Sequence, residues 1–147
     1  MTGGKLAAGL LMALAGIGAA VTYLDDTGTA PHDWVTPLVA ATIIGFWAGW
    51  SQLGRSLGGQ YLNSAFFALG AAFTAVVFLA ILYSLRSAWI THFGVRFDEP
   101  IDVLRHVVEV SISFCIQLLQ SNRTIVALLF GAFTAGIIAE FFNRIWR

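Results

Sequence analysis

Charge is scarce in this chain. Only 11% of its 147 residues are Asp, Glu, Lys or Arg, and eight basic residues balance eight acidic ones. A chain without a basic excess has no electrostatic footprint for nucleic acid, which excludes DNA and RNA as partners. Cysteine is nearly absent. Cys115 stands alone, so no disulfide can close within the chain, and no CxxC or Cys/His spacing points to a metal or cluster. The expected role of that thiol is a small buried hydrophobe. The three histidines, His32, His92 and His106, fall outside the apolar cores. A bis-histidine haem needs histidines facing one another inside the bilayer, so a cytochrome b-like reading is disfavoured. Catalytic signatures are missing as well: there is no phosphate-cradling GxxxxGK, no HExxH and no Ser/His/Asp set in motif context. The expectation is a non-catalytic protein, with no cofactor implied.

Long apolar runs are what the chain has in quantity. Hydrophobic residues make up 58% of it, and its mean hydropathy is +0.79, far from the soluble balance. The reading that follows is an all-α polytopic membrane protein, a single domain over residues 1–147. It is organised around a hairpin that runs from Pro37 through the turn Gly54-Arg55-Ser56-Leu57-Gly58-Gly59 and back along Tyr61 to Leu85. The tip of that hairpin carries one cation, Arg55, flanked by Trp50 and Tyr61, a pattern suited to a chain reversal at a bilayer surface.

Spans are expected at about 5–24, 37–53, 61–90 and 124–145. About 20 apolar residues at 1.5 Å each cover a hydrocarbon core of roughly 30 Å. The first segment, with its positive start and small residues near Gly18-Ala19-Ala20, also has features of a signal peptide, but is read as a retained span. Small residues recur where close helix contact is expected: Gly9, Ala13, Gly16 and Ala20 in the first segment, Gly45 and Gly49 in the second, and Gly131, Ala132, Ala135, Gly136 and Ala139 in the last. Gly45, Gly49, Gly131, Ala135 and Gly136 are the chosen packing candidates. Glu140, the one acid of the last segment, stands four residues before Arg144. That order favours an exposed or interfacial ion pair, with a proton or ion site as the less favoured reading.

Residues 101–120 differ in kind. Asp102, Arg105, His106, Glu109, Ser113, Gln117 and Gln120 recur at three- and four-residue spacing, with Leu104, Val107, Val108, Ser111, Ile112, Cys115 and Leu119 broadly opposite. Such a helix is amphipathic. Spanning would cost several kcal/mol for each unpartnered charge, so it is expected in the interface or folded over the bundle, between spans three and four. Four spans then put Lys5, Arg55, Arg144 and Arg147 on one side and Asp25, Asp26 and Asp33 on the other. By the Lys/Arg bias of short loops both termini are cytoplasmic. An outer polar cap of Arg86, Arg96, Asp98, Glu99, Asp102, Arg105, His106 and Glu109 follows. Mutual neutralisation of these charges is the favoured role, with a divalent-cation site or an oxyanion site at the arginines as alternatives.

The order and spacing of several short motifs resemble the TrgA family of small alphaproteobacterial inner-membrane proteins. The residues that carry the likeness are Gly49-Trp50, Gly54-Arg55, Gly58-Gly59-Gln60-Tyr61 with Ala65, Leu82-Tyr83-Ser84 with Ser87, and Arg96-Phe97-Asp98-Glu99-Pro100. The closing Gly131 to Glu140 segment with its Arg-Ile-Trp-Arg end belongs with them. Glu99 departs from the glycine expected before the proline. The resemblance implies an inner-membrane protein associated with tellurite resistance, without catalytic residues to carry over. The alternative is an accessory subunit packed against a larger photosynthetic or respiratory complex. Expected partners are membrane lipids, together with further copies of the chain or other membrane-protein subunits.

Overall fold

The structure, a computed structural model, describes residues 2–92 and 100–146, and these residues are helical almost throughout. Six α-helices follow in order: α1 (Thr2–Asp26), α2 (Val35–Ala48), α3 (Gly54–Ser56), α4 (Tyr61–His92), α5 (Pro100–Gln120) and α6 (Asn122–Ile145). A single 3-10 turn, Pro31–Asp33, precedes α2, and a π-helical turn, Gly49–Leu53, joins α2 to α3. Among the described residues, three stretches are long and apolar enough to cross a membrane: Gly3–Asp26, Tyr61–Ile90 and Asn122–Ile145.

Local chemistry sets the boundaries. The α1 helix stops because Gly28 takes the left-handed conformation, φ +64°. Its N–H reaches the Asp25 carbonyl at 3.1 Å, and the Thr29 N–H reaches Leu24 at 3.1 Å, the paired bonds of a Schellman stop. The indole Nε1 of Trp34 donates to the Thr29 carbonyl at 2.8 Å, folding the loop back before α2. Between α5 and α6 only Ser121 breaks the helix. Its extended backbone and side-chain oxygen, which accepts from the Thr124 N–H, start α6.

The second expected span is the one the fold alters. Its α-helical part ends at Ala48 and the backbone continues through the π turn, so the path to Ser56 is helical where a turn was expected at Gly54. Glycine spacing explains the change. Gly45 lies against the Met12 carbonyl and Gly49 against the Ala8 carbonyl, and a Cβ on Gly54 would meet Lys5 Cγ at 2.9 Å. Gly54 is five residues beyond Gly49, one too many for an α-helical face. A π turn takes in one residue more than an α turn, and it returns Gly54 to the face presented to α1.

Helices α1, α2, α4 and α6 pack in a ring, α1 beside α2 and α6, and α4 beside the same two. The pairings are antiparallel: Gly16 meets Ala41 and Gly49 meets Ala8 between α1 and α2, while Gly131 meets Ala15 and Gly4 meets Asn143 between α1 and α6. Gly136 stands against Ser64, Ala65 and Ala68 of α4. Buried positions are mostly small, with Ala8, Ala48, Ala65, Ala68, Ala71, Ala132 and Ala139 all at 0% exposure. Large apolar side chains point outward instead, among them Leu14 at 64%, Phe73 at 72% and Phe130 at 70% exposure. In water such a surface would demand a partner; close helix approach over small residues with bulky groups outside is how helices associate in lipid.

Helix α5 runs back along the last turns of α4. Ser111 Oγ donates to Ser84 Oγ at 3.0 Å, and Phe114 packs against both Tyr23 and Tyr83, with ring centroids 5.4 and 5.5 Å away.

Candidate functional site

At one end of the ring, the start of α1, the turn after α3, the start of α4 and the end of α6 meet. Glu140 lies at their junction with its side chain wholly buried. One carboxylate oxygen accepts from the Gly58 N–H at 2.9 Å and from Ser64 Oγ at 3.2 Å. The other accepts from Arg144 Nε at 3.2 Å. Arg144, half exposed, also donates through Nη2 to the Gly59 carbonyl at 3.0 Å, and its guanidinium carbon sits 4.2 Å from the Tyr61 ring centroid. The turn is therefore gripped twice, by the N–H of Gly58 and by the C=O of Gly59. Gly58 has φ +107°, a conformation open only to glycine. The ion pair read from the sequence is present. Its acid is not exposed, because the α4–α6 approach at Gly136 closes over it.

The other end is tied by a second polar set. Asp26, ending α1, receives a short hydrogen bond from Ser121 Oγ and stands 3.8 Å from Arg123. Tyr23 donates its hydroxyl to Gln117 Oε1 at 3.0 Å. Next to it, α4 and α5 enclose an open cleft of about 360 Å³. Tyr83, Ser87, His106, Glu109, Ser113 and Gln117 supply its polar lining.

The predicted outer cap is only partly brought together. His106 lines the cleft, and Glu109 lines it while pairing with Arg105 at 3.2 Å, a contact exposed on both sides. Arg86 and Asp102 are exposed. Arg96, Asp98 and Glu99 lie outside the described residues, as do the side chains of His32 and His92. Among the described residues no three His, Cys, Asp or Glu side chains are placed to hold a metal ion. Cys115 is half-buried on α5. The packing candidates divide by helix: Gly45 and Gly49 face α1, Gly131 faces α1, and Gly136 faces α4, while Ala135 is buried at 3% exposure.

Sequence reasoning passed over Ser64 and the Gly58 N–H as partners of Glu140. A signal was present, since a carboxylate deep in an apolar helix needs donors nearby. It also passed over Ser121, though a serine just before an apolar run is a helix-start signal. Comparison of the chain with family models, with curated proteins and with solved structures finds no match in any of the three.

Proposed function

We propose that this chain is a non-catalytic, multi-pass protein of a bacterial inner membrane, acting in tellurite resistance as its resemblance to the TrgA family implies. The observation that carries membrane residence is the inverted packing, alanine and glycine inside with Leu, Phe and Trp outside. Helices α1, α4 and α6 cross. The path from Val35 to Ser56 makes a fourth crossing, about 33 Å at 1.5 Å per residue. Sidedness rests on the charges collected at the two ends of the ring. One end has Lys5, Arg55 and Arg144 with only the buried Glu140 as described acid; the other has Asp25, Asp26 and Asp33 beside mixed charges. The Lys/Arg-rich end faces the cytoplasm, both termini with it. Helix α5 lies at the outer surface, its exposed Ile101, Leu104, Val108 and Ile112 toward the acyl boundary and Asp102, Arg105 and Glu109 toward water.

Two of the motifs that carry the family resemblance fall at the two polar sets. Gly58, Gly59 and Tyr61 form the turn held by Glu140 and Arg144, and Tyr83, Ser84 and Ser87 line or brace the α4–α5 cleft. Deleting the gene in its native host is expected to lower the tellurite concentration that stops growth, with recovery on re-expression. Unchanged tolerance would count against the reading.

A second reading, an accessory subunit of a larger bioenergetic complex, is favoured by one feature. Gly18 and Gly70 face outward with nothing within 4 Å, and Gly70 sits among exposed Phe66, Phe67 and Phe73, which leaves a notch for another helix. Co-migration with pigment or haem in gentle detergent separates this reading from the first.

A further inference from the structure

We propose that Lys5 and Arg55 form a binding site for the phosphate of an anionic phospholipid in the cytoplasmic leaflet. Two basic residues occupy neighbouring positions at this end of the ring. The stem of Lys5 lies over Gly54, where any Cβ would meet its Cγ, Cβ and Cα within 3.3 Å, and Arg55 is the next residue along. The π turn creates this meeting, because it alone carries Gly54 back onto α1. Neither cation has a hydrogen bond or an ion pair among the described residues. The one described acid at this end, Glu140, is taken up by Gly58, Ser64 and Arg144. An anion placed near both residues is attracted by each, and guanidinium and ammonium donors suit phosphate oxygens.

The depth and the surroundings of the pair select a lipid as the source of that phosphate. Trp50 is partly exposed in the same π turn and Tyr61 opens α4, the residue types that settle at headgroup level. Next to Lys5, Leu6 and Leu10 are 44% and 56% exposed, an apolar wall for acyl chains below the headgroup. Packing of the Lys5 stem on Gly54 also removes part of the ordering cost of binding.

The site rests on the membrane reading above, and the test separates the two. Detergent-extracted full-length protein is titrated with phosphatidylglycerol, with phosphatidylcholine of the same chains, and with inorganic phosphate, and bound lipid is counted by native mass spectrometry. Preference for phosphatidylglycerol is expected at roughly thirtyfold, the ratio given by two basic residues at an anionic surface. In the Lys5→Gln/Arg55→Gln variant the ratio falls to about one. The charge-conserving Lys5→Arg/Arg55→Lys exchange keeps it, and Arg86→Gln, altered at the opposite end, also keeps it. Equal retention of the two lipids, or full preference in the double glutamine variant, overturns the site. Saturation by inorganic phosphate in place of lipid overturns its assignment to a phospholipid. A chain released from membranes without detergent would instead sink the membrane reading.

Discussion

Glu140→Ala is expected to lower the thermal midpoint of the detergent-solubilised protein by about 6–12 °C, the shift for about 3 kcal/mol in a chain of this size. Removing the carboxylate strands three donors at once: the Gly58 N–H, the Ser64 hydroxyl and the Arg144 guanidinium. Breaking a fully buried pair costs about 3–5 kcal/mol. The lower end applies because Arg144 is half exposed and can turn to water or headgroups. The larger share of the loss comes from Ser64, left as a buried unmet donor at about 1–3 kcal/mol, while Gly58 is exposed and its N–H can turn to water. Glu140→Gln keeps an oxygen for one of these donors and loses the charge, so about half the effect is expected. Arg144→Ala leaves the buried carboxylate its Gly58 and Ser64 donors but no counter-charge, so a loss of about 3 kcal/mol is expected there as well. Proteolysis in the 57–60 turn offers an independent reading, since that turn is held at both Gly58 and Gly59. An unchanged midpoint in Glu140→Ala would show that the carboxylate does not hold the fold together.

A similarly large loss is expected from Gly49→Leu. A Cβ at that position would fall 2.5 Å from the Ala8 carbonyl oxygen and 2.7 Å from Met12 Cβ. Backbone cannot move aside as a flexible side chain can, so α1 and α2 must separate. Overpacking of this kind costs about 1–3 kcal/mol by itself, and separation also loosens the contacts at Gly45 and Gly54. Gly136→Leu meets the same obstacle on the other side of the ring, 2.6 Å from the Ser64 carbonyl oxygen, and it also opens the cover over Glu140. Gly70→Leu is the control, with nothing within 4 Å and a helical position where leucine outranks glycine. Size-exclusion of each variant in mild detergent should give aggregated or poorly recovered Gly49→Leu and Gly136→Leu against monodisperse Gly70→Leu. Equal recovery of all three would mean that close glycine contact does not set the helix spacing.

Much of the helical plan could be read directly from hydropathy. The first, third and last apolar segments appear as α1, α4 and α6 within a few residues of their expected limits, because runs of that length leave a helix no polar place to stop. The amphipathic stretch likewise appears as α5, begun at Pro100. Less legible was the second segment. Its GxxxG pair was visible, yet Gly54 was assigned to the reversal because Arg55 between Trp50 and Tyr61 suits a turn at a bilayer surface. The five-residue step from Gly49 to Gly54 was the signal of a π turn. The ion pair of Glu140 with Arg144 was legible, but the burial of the acid and its other partners were not. Helical spacing shows its Arg144 neighbour on the same helix and is blind to Ser64 and Gly58, which arrive from 76 and 82 residues away in the chain. The α4–α5 cleft was similarly out of reach, since it depends on α5 folding back along α4 rather than on any local pattern.

The account depends most on which end of the ring faces the cytoplasm. Fluorescent-protein and alkaline-phosphatase fusions placed after Arg147, and inserted in the loop between Thr27 and Trp34, test this directly. Fluorescence without phosphatase activity is expected at the C-terminus, and phosphatase activity in the loop. An active phosphatase after Arg147 would contradict the assigned sidedness, and with it the placing of the Lys5–Arg55 pair in the inner leaflet.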